Sequence, residues 1–120
     1  MIIRYAKILG DLALIYCHNK DFEKAIAYLK TDIDISEKEN DERNVMFANI
    51  RLGKIYLNQN NITEAKKTIK LAEEYASTKD YLKSFELEIN STLLEIALKE
   101  NDTQEELKLR RKLSDIESHL

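Results

Sequence analysis

The residues with the most chemistry in them are Cys17 and His18, the pairs Glu73-Glu74 and Glu105-Glu106, the acidic stretch from Glu37 to Glu42, and the basic run Lys108, Arg110, Arg111 and Lys112. A thiol beside an imidazole could form a nucleophile with its base, but neighbours on a helix point about 100° apart and do not face each other. His18 and His119 have no second histidine or cysteine at ligand spacing, so no metal site is expected. The acids could serve as paired carboxylates for acid–base work. They fall instead on solvated faces or at helix starts, where the helix dipole favours negative charge. The basic run could touch phosphates, yet Glu106 lies four residues before Arg110 and Asp115 four after Arg111, a spacing that pairs charges along one helix. With no glycine-rich phosphate loop, nucleophile elbow or zinc motif in the chain, the reading is a non-catalytic protein with no cofactor and no metal.

The totals agree with that reading. A chain of 120 residues is the size of one domain. Its 22 acids and 19 bases are interleaved, giving a net charge of −3, so no domain-wide positive field exists to attract nucleic acid. Cys17 is the single cysteine and cannot form an internal disulfide, which fits a reducing cytoplasm. Asp11 interrupts the apolar residues Ile2, Ile3, Ile8 and Leu9, leaving neither a signal peptide nor a membrane span. Because the chain opens directly within helical periodicity, it is expected to be a piece of a longer protein.

The elements that must position any site are helices. Proline is absent and glycine occurs only at Gly10 and Gly53, which removes most of the turn chemistry that strands need. A shift of 40 residues lays Asp11-Leu12-Ala13-Leu14-Ile15-Tyr16 on Arg51-Leu52-Gly53-Lys54-Ile55-Tyr56 and Ala25 on Ala65. The same shift lays the turn His18-Asn19-Lys20-Asp21 on Asn58-Gln59-Asn60-Asn61, and a shift of 41 carries it to Lys99-Glu100-Asn101-Asp102. Asp21, Asn61 and Asp102 suit helix N-caps, and Glu64 and Glu105 stand at capping-box spacing from the last two. Apolar residues between the turns keep helical spacing, as in Phe22, Ala25, Ile26, Leu29 and Ile33. Six helices follow, at about 2–18, 22–39, 42–58, 62–77, 80–99 and 103–119, joined by short loops.

Leu9, Leu12, Ala13, Tyr16, Asp21-Phe22-Glu23-Lys24-Ala25 and Leu29 resemble the tetratricopeptide-repeat pattern, and Leu52-Gly53, Tyr56, Ala65, Ile69 and Ala72 repeat it. A third copy keeps Leu93, Leu94 and Ala97 but places Glu106 and Arg110 where the second helix should bury apolar residues. The period near 40 exceeds the family's usual length of about 34, and the family proline after the second helix is missing; both features resemble the long repeats of bacterial signalling regulators. The resemblance implies an all-α, right-handed superhelical stack of about three antiparallel hairpins in one domain, with repeats at roughly 6–40, 46–79 and 87–120. Gly53, Ala13, Ala25 and Ala65 would be its close-contact points.

The resemblance also implies a groove for a protein or peptide, lined by the first helix of each hairpin. Carried over position by position, it falls on Lys7, Leu14, Cys17 and His18, then Phe47, Ile50, Lys54, Leu57 and Asn58, then Glu88, Ser91, Glu95 and Lys99. The family's chaperone-tail class grips a terminal carboxylate with a lysine, asparagine and arginine clamp. Gly10, Leu14 and Ile50 stand among the positions that clamp would use, which argues for another kind of partner. An alternative from a different class is a sensory or dimerising segment of a larger bacterial signalling or transcription regulator. Leu109, Leu113, Ile116 and Leu120 form a short seam, expected to cap the stack in a monomer, with pairing to a second chain as the alternative.

Overall fold

The computed structural model describes residues Ile2–His119, with side chains from Ile8 onward. Six α-helices follow one another: α1 (Ile2–His18), α2 (Phe22–Lys38), α3 (Glu42–Asn58), α4 (Ile62–Ser77), α5 (Glu86–Lys99) and α6 (Thr103–Ser118). No strand occurs among the described residues. The helices pack chiefly on their sequence neighbours, α1 on α2 through to α5 on α6, which is the pattern of a helical repeat solenoid.

One turn geometry joins most of them. At the ends of α1, α2, α3 and α5 the chain passes through a left-handed residue, Lys20 (φ 62°), Asn40 (φ 56°), Asn60 (φ 62°) and Asn101 (φ 56°). The amide after each donates back to a carbonyl five residues earlier: Asp21 to Tyr16, Asp41 to Ser36, Asn61 to Tyr56 and Asp102 to Ala97, at 2.8–3.0 Å. These are Schellman closures. The same four residues then cap the next helix, their side chains accepting from the amides of Lys24, Asn44, Glu64 and Glu105. The turn after α2 at Asn40-Asp41 has the same geometry, so the turn joins successive repeats as well as the two helices within each.

The junction after α4 is different. Lys79 is extended and offers no side-chain cap, and Asp80–Phe85 winds as a 3₁₀ helix before α5 begins. One continuous helix from residue 80 was expected. The tighter winding stacks residues three apart, which sets Leu82 (0% exposed) and Phe85 (4%) together in the core. Arg43 Nη1 donates to the Tyr81 carbonyl at 3.2 Å and ties the segment to α3.

Ala13, Ala25 and Ala65 are buried, as close contact between helices requires. Gly53 is buried on α3 against Ile69 of α4. In the third hairpin Glu106 and Arg110 pair with each other at 3.0 Å on the solvent side, and α6 enters the core through Leu109 (2% exposed). Leu113 and Ile116 are half-buried. Leu120 lies outside the described residues.

Candidate peptide-binding groove

Helix periodicity puts Phe47, Arg51, Lys54 and Asn58 on one side of α3, three or four residues apart. Opposite them on α1 stand Leu14, Cys17 and His18. Between the two helices two adjoining hollows open, of about 420 and about 180 Å3. Leu14, Cys17 and Asn58 line both. Asn58 Nδ2 lies 3.9 Å from Cys17 Sγ across the cleft. Lys20, Arg51 and Lys54 also line it, and none of the lining residues is acidic.

Arg51 lies near an aromatic ring and a carboxylate. Its guanidinium lies 5.9 Å from the Phe47 ring centroid. Near it is Asp32 of α2, a buried carboxylate that accepts from Ser36 Oγ at 3.2 Å and Asn44 Nδ2 at 2.7 Å. Burial pushes the Asp32 carboxyl above its usual range; the Ser36 and Asn44 hydrogen bonds and the Arg51 charge pull it part of the way back. Gly10 makes the meeting possible. A Cβ there would stand 3.0 Å from Arg51 Nη1 and 3.3 Å from Asp32 Oδ2, so α1 passes this charged pair with no side chain.

The thirteen positions expected to line a groove divide clearly. Leu14, Cys17, His18, Lys54 and Asn58 meet in the cleft. Glu88 joins its edge through an ion pair with Lys54, and Phe47, 45% exposed, continues the wall edge-to-face against Phe85 at 5.2 Å. Ile50 (1% exposed) and Leu57 (4%) are core residues. They present no surface to a partner, because their side of α3 turns toward neighbouring helices. Ser91 spends its hydroxyl on the Leu87 carbonyl at 2.7 Å. Glu95 and Lys99 are exposed further along α5, away from the residues lining the cleft. The Lys7 side chain is outside the described residues.

Arg51, Lys20 and Phe22 also line the cleft, and none of them is among those thirteen positions. Arg51 was legible: it stands four residues after Phe47 and three before Lys54, on the same helical face. Among the described residues no group of three or more His, Cys, Asp and Glu is arranged to hold a metal ion. No helix there is long and apolar enough to cross a membrane.

A tetratricopeptide-repeat family model matches residues 6–39 and 48–79, more than half of the chain. The chain belongs to the tetratricopeptide-repeat family, whose members as a class are scaffolds for protein interaction. The hairpin of α5 and α6 lies outside the matched residues. No curated protein and no solved structure matches the chain significantly.

Proposed function

We propose that this protein is a non-catalytic scaffold that holds a segment of a partner protein in the cleft between α1 and α3. The observation that carries the reading is the cleft's lining. An apolar wall of Ala13, Leu14, Leu29 and Ile55 is lined with Lys20, Arg51 and Lys54 and with no carboxylate, Glu88 standing outside the lining as the partner of Lys54. Such a lining suits a segment that buries one or two apolar side chains and sets acidic groups against the cations. Lys54 exchanges its Glu88 partner for the incoming acid, and Arg51 already lies over the Phe47 ring.

Affinity capture from source lysate, comparing wild type with Leu14→Glu and Lys54→Glu, tests it. Both positions are at least partly exposed, so the variants are expected to fold. Proteins captured by wild type and lost from both variants are the expected result. A capture profile that neither substitution changes rules out this cleft as the binding site.

A further inference from the structure

Helix α3 has a second open side. Glu42, Val45, Met46 and Asn49 lie about half a turn around the helix from Phe47, Arg51 and Lys54. There α2 and α4 diverge, each packed on α3 and hardly touching each other. They leave a cleft of about 490 Å3, floored by Val45, Met46 and Ala72 and walled by Glu37 of α2 and by Leu71 and Tyr75 of α4.

Two features of this cleft are unexplained by the fold. Helix α4 carries two apolar strips. Ala65, Ile69, Ala72 and Ala76 form the buried one. Leu71 and Tyr75 stand about a third of a turn away, and Leu71, at 59%, is the most exposed large apolar side chain among the described residues. The core makes no use of it. The charge is one-sided as well: Glu37, Asp41 and Glu42 line the cleft and no cation does. Glu42 accepts from the hydroxyls of Tyr75 and Tyr81 and pairs with Lys79 at 3.7 Å, which fixes its position at the rim. Glu37 is exposed and lies near enough for its charge to act on the Tyr75 phenol.

We infer that this cleft is a second docking surface, for a cationic amphipathic segment of a partner protein that sets an apolar side chain against Leu71 and Val45 and a lysine or arginine against Glu37 and Glu42. Charge complementarity selects the partner's sign. The apolar floor supplies burial, and the aliphatic stem of a long cationic side chain covers Leu71 while its head reaches the carboxylates and the face of Tyr75. The inference is independent of the α1–α3 cleft, which lies on the other side of α3 and carries the opposite charge.

The test is a titration of ¹⁵N-labelled full chain with an amphipathic helical peptide bearing lysine and arginine beside a leucine stripe, and with its glutamate counterpart. The cationic peptide is expected to move the amides of Glu37, Leu71, Ala72 and Tyr75 and to leave those of Cys17 and Lys54 in place. Glu37→Lys and Leu71→Ser, both at exposed positions, are expected to weaken binding about tenfold each, and added salt to weaken it further. Unchanged affinity in both variants, equal binding of the two peptides, shifts centred on Leu14 and Lys54, or no binding at all would each overturn the proposal. So would concentration-dependent broadening at these amides without peptide, which would mean that a second copy of the chain fills the cleft.

Discussion

Gly53 of α3 faces Ile69 of α4 with no room between them: a Cβ built on Gly53 would stand 2.5 Å from Ile69 Cγ1 and nearer still to Cδ1. Ile69 is fully buried, at 0% exposure, so it has little space into which to turn. Close approach of α3 and α4 therefore depends on the missing side chain.

A leucine at this position is expected to overpack. The geometry makes alanine harmful too. Gly53→Ala gains roughly 0.5 to 1 kcal/mol of helix propensity but forces a methyl into Ile69, a kind of overpacking that typically costs about 1 to 3 kcal/mol. The expected outcome is a net loss in urea denaturation. Combining it with Ile69→Ala, which clears both offending carbons, is expected to cost less than the sum of the two single changes. An additive pair would show that the two residues do not meet.

Lys20 is the only lysine among four left-handed turn residues; the other three are asparagines. A side chain with a Cβ costs about 1 to 2 kcal/mol in that conformation, and asparagine tolerates it better. Lys20→Gly is expected to stabilise the protein by about 1 kcal/mol and Lys20→Asn by less. Chemical denaturation midpoints measure both. A loss on substituting glycine would mean that the lysine side chain makes a contact that outweighs the strain.

Asp32 predicts a pH dependence. Because burial raises its carboxyl above the ordinary value in the folded chain, the folded state binds this proton more tightly than the unfolded state does. Its effect on stability is therefore most favourable below the unfolded value, declines as pH rises through the interval between the two, and is constant above. Asp32→Asn keeps an oxygen acceptor for Ser36 and Asn44 and removes the charge. It is expected to raise the thermal midpoint near neutral pH and to abolish this step, which begins at the ordinary carboxylate value and extends above it. A destabilised variant at neutral pH would show that attraction to Arg51 outweighs burial.

Two leucines on α6 separate its inner face from its outer one. Leu109 is 2% exposed and Leu107 53%. Leu109→Ala is expected to cost about 2 to 5 kcal/mol, while Leu107→Ala stays within about 0.5 kcal/mol. Equal effects would contradict the packing of α6 on α5.

What the sequence determined by itself was local and periodic. The 40-residue shift, the capping residues Asp21, Asn61 and Asp102, and the apolar spacing placed five of the six helices within a residue or so, because caps and hydrophobic stripes act within a few residues of chain. Tertiary structure decided the remainder. The 3₁₀ segment at Asp80–Phe85 buries Leu82 and Phe85 at a spacing of three that an α-helix would share, so the apolar pattern did not distinguish the tighter winding. Ile50 and Leu57 left the expected groove because apolar residues on a helix touching neighbours on two sides look alike until the neighbours are placed. Arg51, Gly10 and Asp32 come from three different helices, and Glu42 meets two tyrosines over thirty residues away in the chain. Such meetings depend on how the helices are stacked, which no local pattern along the chain encodes.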